Sequence, residues 1–478
     1  MTDDASTIRM RASCAAPSGF ENATKLILSA ALALFVFQSN GARADDCTPN
    51  NPVSYDVVTC SSNNGVDVDN FAADPGVHFL DITVESDATI DGVGTTFEIN
   101  DDNTFNNDGT IAAGVDGILG GDRNTINNEN SIEGSDDAIE MGSDTTVNNN
   151  GTIIGGDNAI LITGGGTNTI DNDGILTGTN HSVLGGAGVE NVMNRTGATI
   201  NGDMDLAGGN DSLTLETGSI LSSSAVDGGD GTDGITLDGA GTFGGGFTNF
   251  ESLTKQGSGI WSLGGTSDVV STAIDGGTLA VNGMLTTTMT IGASGTLAGA
   301  GTVDGNVANN GGTVSPGNSI ETLTVNGDYT ENAPSLLSIE IDDAGNHDRL
   351  YVLGTATLDP GSTLDVVPLA GDYTLGGDIF DVLVADGGLV GSFGTATASG
   401  ETKLYLEYQS DRVQLTSFAT IFGPLGETPN HAVRLEGLAR PNTVVISPVT
   451  AQLAQRLFVL GNSALTISKA WQAYPLVR

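Results

Sequence analysis

The feature that most constrains this 478-residue chain is a repeat of about 21 residues running from Phe97 to Ile200. Three apolar ladders pass through it. The first is Phe97, Ile118, Ile139, Ile160 and Val183; the second is Phe105, Ile126, Val147, Ile170 and Val192; the third is Ile111, Ile132, Ile153, Leu176 and Ile200. Polar punctuation recurs at the same step: Asn103-Thr-Phe-Asn-Asn-Asp-Gly-Thr-Ile111 returns as Asn124-Thr-Ile-Asn-Asn-Glu-Asn-Ser-Ile132, Thr145-Thr-Val-Asn-Asn-Asn-Gly-Thr-Ile153 and Asn168-Thr-Ile-Asp-Asn-Asp-Gly-Ile-Leu176. A unit of three short β-type runs, each closed by Gly, Asn or Asp, cannot bury its apolar side alone. Stacked on copies of itself, it builds a continuous core. The expected fold is all-β: a right-handed parallel β-helix (solenoid) whose turns lie about 4.8 Å apart. A helical solenoid would also be periodic, but these runs are rich in Gly, Asn and Thr and too short for a 3.6-residue pattern.

Composition agrees with an elongated rather than a round molecule, because 69 glycines and 5% aromatic residues leave few large side chains for a compact core. The formal charge of −44 argues against nucleic acid as a partner, since that needs a cationic surface, and against docking on anionic membranes.

Residues 1–44 read as a cleaved signal peptide. Arg9, Arg11 and Lys25 precede an apolar run from Leu26 to Phe37, and Ala42-Arg43-Ala44 offers small residues where a peptidase cuts, before Asp45. The run is below the ~20 residues that span a bilayer, and no other segment approaches that length, so no membrane-spanning segment is expected. Cys14 leaves with the signal. Cys47 and Cys60 remain as an even pair in an exported chain, expected to form a disulfide that contributes about 3 kcal/mol. The alternatives are free thiols or a metal site, for which His78 is the one nearby imidazole.

Beyond Ile200 two Gly-rich segments appear, Gly208-Gly-Asn-Asp-Ser-Leu-Thr-Leu215 and Gly228-Gly-Asp-Gly-Thr-Asp-Gly-Ile-Thr236. The second fits the nonapeptide that binds Ca²⁺ in stacked arrays. Such a site takes oxygens from two adjacent turns, and the first segment lacks the middle glycine. One good copy is half a site, so Asp230 and Asp233 read as parts of a tight turn, and neither metal nor cofactor is expected.

Gly228-Gly-Asp-Gly-Thr-Asp233, followed by Asn249-Phe-Glu-Ser-Leu-Thr-Lys-Gln-Gly-Ser-Gly-Ile-Trp-Ser-Leu263, resembles the passenger domain of bacterial autotransporters of the pertactin and AIDA type. Gly276-Gly-Thr-Leu-Ala-Val-Asn-Gly283, Gly295-Thr-Leu-Ala-Gly-Ala-Gly-Thr-Val303 and Val314-Ser-Pro-Gly-Asn-Ser319 leading into Leu323-Thr-Val-Asn-Gly-Asp-Tyr329 resemble the autotransporter-associated β-strand repeat, with Glu321 where the family usually has Gly. Within these motifs alternation places Leu279 and Val281 on one face, and Trp261 reads as a core or capping aromatic. The resemblance covers roughly 45–415. It implies an exported adhesin-like passenger, secreted by the type V route through its own or a separate outer-membrane β-barrel, with surface ligands on host or bacterial cells as partners.

The expected organisation is a signal peptide (1–44), an N-terminal cap with the disulfide (45–75), a repetitive stalk (76–319), a C-terminal segment resembling an autochaperone (320–417) and an atypical tail (418–478). Strands are expected at Leu336–Ile341, Leu350–Val352, Thr363–Val367, Ile379–Val384, Leu404–Tyr408 and Val413–Leu415. The tail has no Asp, and Thr428-Pro-Asn-His-Ala432 resembles the start of the family's linker. A helix is expected over 447–471. The tail is too short for a barrel of at least ~8 strands of ~10 residues each, so a frameshifted or truncated end is expected. An intact product would lie at the cell surface or be secreted, and a chain without a barrel would stay in the periplasm.

No catalysis is expected. The alternatives are a Ca-binding extracellular repeat protein and a β-helix polysaccharide lyase or hydrolase; the latter would want clustered Asp with a basic partner, but Asp116 and Asp137 stand one turn apart without one, and read as solvated turns and side-chain ladders. His78, His181, His347 and His431 are scattered, and Asp211-Ser-Leu213 lacks the preceding residues of a hydrolase motif.

Overall fold

The computed structural model describes residues 47–49, 52–61, 71–342, 344–369, 379–398 and 404–417. These residues are all-β, and parallel strands coil them into a β-solenoid. The expected signal peptide, with Cys14, and the tail, with its linker-like segment, its helix and His431, lie outside the described residues.

The three apolar ladders are three columns of register partners. Phe97 pairs with Ile118, and the column continues through Ile139, Ile160 and Val183. Phe105, Ile126, Val147, Ile170 and Val192 pair in the same way. So do Ile111, Ile132, Ile153, Leu176 and Ile200. All fifteen side chains are buried. Strand alternation decides which residues enter: in Thr104–Asn107, Phe105 and Asn107 point inward while Thr104 and Asn106 face out. Each enclosed Ile, Leu or Val contributes about 1.5–3 kcal/mol, but only because a turn above and a turn below close the sides of its compartment.

The asparagines that punctuate the repeat also form a buried column. Asn107, Asn128, Asn149, Asn172 and Asn194 are wholly inaccessible. Each Nδ2 donates to the Oδ1 of the next, at 2.8, 2.7, 2.7 and 2.8 Å. The remaining donor capacity ties down turn carbonyls, as where Asn149 reaches Gly151 O at 3.3 Å and Ile175 O at 3.2 Å. Outside, a parallel column links Asn148 to Asn127 and Asn127 to Asn106, both at 2.8 Å.

The corners repeat with the strands. Asp102, Arg123 and Asp144, one turn apart, all hold positive φ near 56–61°. Arg123 pairs with Asp102 beneath it through two hydrogen bonds of 2.6 and 2.9 Å.

One sheet of 23 described strands runs through the whole solenoid, a 14-stranded sheet accompanies its first half and an 8-stranded sheet its second. In the second half Trp261, Leu279, Leu297, Val314, Leu337 and Leu364 make one inward column. Trp261 is buried there, donates from Nε1 to Asp238 O at 3.1 Å, and lies over Gly241, where a Cβ would come 2.4 Å from its ring. Leu279 and Val281 both face inward as alternation requires. The strands expected after residue 330 are present as Leu336–Ile341, Arg349–Val352, Thr363–Pro368, Ile379–Ala385, Leu404–Tyr408 and Arg412–Ser417.

Both ends of the long sheet depart from parallel pairing. Cys47–Thr48 runs antiparallel to Val57–Cys60, with Cys47 and Cys60 disulfide-bonded, and Val57–Cys60 already starts the parallel ladder by pairing with Asp81–Val84. At the far end Ile379–Ala385 takes Arg412–Ser417 antiparallel, and that strand takes Leu404–Tyr408. A parallel stack would otherwise present bare edges open to pairing with other chains.

The two asparagine columns separate burial from repetition. Asn149→Ala strips partners from Asn128 and from two turn carbonyls, so it is expected to cost about 2–4 kcal/mol of local stability, read as lost hydrogen-exchange protection over residues 104–200. Asn148→Ala, on the half-buried outer column, is expected to change it by less than about 1 kcal/mol. Equal losses would show that the inner column carries no special weight.

Candidate functional site

A second inward polar column precedes the strands of the long sheet, and its chemistry changes along the molecule. Its recurring rule is that a side-chain oxygen accepts the peptide N–H of the equivalent residue one turn earlier, except at Thr145, whose hydroxyl has no partner, and at Glu190, which accepts from Asn168 Nδ2. Asn103 accepts from Leu80 at 2.9 Å, Asn124 from Asn103 at 2.8 Å and Asn168 from Thr145 at 3.0 Å. Asp211 then accepts from Glu190 at 2.7 Å, Asp233 from Asp211 at 2.6 Å and Glu251 from Asp233 at 2.5 Å.

In the asparagine turns the other end of the side chain is a donor. Asn124 Nδ2 gives hydrogen bonds to Asn100 O and Gly121 O, both at 2.9 Å. In the acidic turns that end is a second carboxylate oxygen, so an acceptor stands where a donor stood. Glu190 Oε2, Asp211 Oδ2 and Asp233 Oδ2 are buried without a hydrogen-bond partner, in residues only 0, 2 and 1% exposed. Burial pushes all three carboxyls up, Asp211 to about 7, and the charges of Glu190 and Asp233 add to the effect on Asp211.

Glycine makes this column narrow. A Cβ on Gly209 would sit 1.7 Å from Gly188 O and 2.8 Å from Asp211 Oδ1; one on Gly231 would sit 1.6 Å from Gly209 O and 3.2 Å from Asp233 Oδ1. Carbonyl and carboxylate oxygens of successive turns therefore share one confined strip. Elsewhere in the same fold, turn carbonyls hold a cation of the chain's own: the buried Lys255 ammonium donates to the carbonyls of Gln256, Gly257 and Gly276 at 2.6, 3.1 and 3.1 Å.

The structure separates the two aspartates that the sequence grouped. Asp233 is in the column, whereas Asp230 is exposed. The sequence reading missed Glu190 and Asp211 as its companions, because Glu190 has Glu for Asp and the Gly-Gly pair before Asp211 stands two places nearer its Asp than the pair before Asp233. The usable signal was spacing: the side-chain oxygens fall 21, 22 and 18 residues apart, one per turn.

Asp116 and Asp137 are buried members of a ladder, not solvated turns. Asp116 accepts from the Asp137 peptide at 3.3 Å and from Thr95 Oγ1 at 2.9 Å, and Asp137 accepts from Asn158 Nδ2 at 2.8 Å. With Glu140 they form a tight acidic group, and burial raises both Asp137 and Glu140. No Lys or Arg pairs with that group among the described residues. The described histidines also stay apart: His181 meets Asn158, His78 meets the Asp101 carbonyl, and His347 packs on Phe380. Ser212 donates to Asn191 as a ladder residue.

Two further acids are enclosed in the second half. Glu331, wholly buried, receives Asn309 Nδ2 and the Tyr329 hydroxyl, and burial pushes its carboxyl up to about 8. Asp348 accepts the peptides of Glu321 and Glu340 at 2.9 and 2.8 Å, and burial lifts it to about 7 despite them. Compared with models of known families and with curated proteins, the chain matches none.

Both acids are raised above their unfolded values near 4. The folded chain thus holds more protons than the unfolded chain between about pH 4 and 8, and stability falls as pH rises through that window. The unfolding midpoint in urea is expected to be higher at pH 5 than at pH 8.5. Glu331→Gln, which keeps the shape without the charge, should remove part of that difference; an unchanged pH dependence in the variant would show that Glu331 ionises freely in the fold.

Proposed function

We propose that this chain is the exported, non-catalytic passenger of an autotransporter, acting by adhesion through many weak, similar contacts along its length. The observation that carries the reading is the repeated outer face. Thr104, Thr125, Thr146 and Thr169 form one outward column, and Asn106, Asn127, Asn148 and Asp171 the next. A surface that offers the same hydroxyl, amide and carboxylate groups once per turn multiplies weak binding by avidity. The motifs from Gly228 to Tyr329, and a disulfide suited to an oxidising compartment, support the same reading. In this reading delivery depends on an outer-membrane barrel, its own or a partner's, and the ligands are carried by host or bacterial surfaces. The acidic group at Asp116, Asp137 and Glu140 gives a polysaccharide lyase little support, since Asp116 already accepts on both oxygens.

The purified protein immobilised on beads is expected to clump them or to retain them on a matrix-protein coat, and the effect should drop several-fold when Thr125 and Asn127 are replaced together by glutamate. Beads that stay dispersed and unbound on every coat would refute adhesion. Unsaturated products released from polyuronate would move the assignment to the lyase.

A further inference from the structure

We infer that the column Glu190, Asp211 and Asp233 binds a divalent cation of the calcium type, held between adjacent turns with Asp211 as the shared ligand. This goes beyond the adhesive reading and does not depend on it.

The argument is one of polarity. Each of these carboxylates spends one oxygen on the peptide N–H of the turn before or on an amide: Asp211 on Glu190 at 2.7 Å, Asp233 on Asp211 at 2.6 Å, and Glu190 on Asn168 Nδ2 at 2.9 Å. The second oxygen of each is buried and unpartnered. In the preceding turns the asparagine amide fills that place with a donor, so the acidic turns replace donors by acceptors, and no donor among the described residues meets their second oxygens. Two ionised carboxylates on neighbouring turns repel unless something positive lies between them. No Lys or Arg forms an ion pair with them among the described residues.

The ligand chemistry selects the cation. The free donors are hard carboxylate oxygens, Glu190 Oε2 and Asp211 Oδ2 on one pair of turns and Asp211 Oδ2 and Asp233 Oδ2 on the next. Such a set suits Ca²⁺, which accepts 6–8 oxygens in flexible geometry, rather than a metal that wants nitrogen or sulfur. Adjacent strands lie about 4.8 Å apart, about twice a Ca²⁺–oxygen distance, so an ion midway between two turns reaches both. The sequence segment Gly228–Asp233 supplies one half of a turn-bridging site, and the turns of Asp211 and Glu190 supply the other.

The alternative occupant is a proton shared by Glu190 and Asp211. A melt of the chelator-treated full chain at pH 8 distinguishes the two. Millimolar CaCl2 is expected to raise Tm by several degrees over NaCl of equal ionic strength, with saturable heat in calorimetry. Asp211→Asn and Glu190→Gln should each abolish that shift, and without calcium should melt no lower than the parent. Asp230→Asn, on the exposed neighbour, should keep the shift, which separates the site from general screening of the acidic surface. If one variant fails to fold, the other gives the reading. No shift in the parent, or an equal shift in Asp211→Asn and Glu190→Gln, would overturn the proposal and leave the column as proton-sharing only.

Discussion

The whole molecule depends on in-register parallel pairing, in which each residue sits on its equivalent in the neighbouring turn. Because strands in a sheet are spaced at about 4.8 Å, whatever enters the interior in one turn contacts its own kind in the next. Apolar residues then stack as Ile on Ile, and amides as Asn on Asn, each Nδ2 meeting an Oδ1. The same constraint punishes misfits severely. A single acid entering an inward column has to find a donor, a proton or a cation within one turn's distance, since water is excluded.

This accounts for the different fates of buried polar groups along the chain. Asparagine carries a donor and an acceptor on one side chain, so a column of asparagines satisfies itself indefinitely. Lysine satisfies the same kind of turn carbonyls from a longer stem at Lys255, whose ammonium is made less basic by desolvation. Glu331 receives Asn309 and Tyr329, and burial pushes its carboxyl up to about 8. Among the described buried acids, Glu190, Asp211 and Asp233 stand apart: one oxygen of each accepts a peptide N–H or the Asn168 amide, and the other is left without a partner.

Much of the fold was legible before any coordinate was known. The columns from Phe97, Phe105 and Ile111 are literal in the sequence because period 21 and strand alternation both act on residue identity. The later strands, such as Leu336–Ile341 and Thr363–Pro368, were legible from alternation alone. The site was less so. Asp233 was visible through its glycines, but the register that brings Asp211 and Glu190 onto it crosses loops of unequal length, and a two-residue displacement of the glycine pair hid the match. Asp116 and Asp137 were visible as a pair one turn apart, but their burial was not, since a turn residue in sequence can point either way.

The sequence by itself determined that this chain would be a β-solenoid and which apolar residues would line it, because a repeat that cannot bury its face alone has only its own copies to stack on. Only the tertiary structure decided which polar residues went inside with them. It placed the antiparallel strands that close both ends of the long sheet, buried Asp116 and Asp137, and set three carboxylates one above another. Those outcomes depend on which turn stacks on which and on where each corner aims its side chain. That geometry exists only once neighbouring turns are in contact.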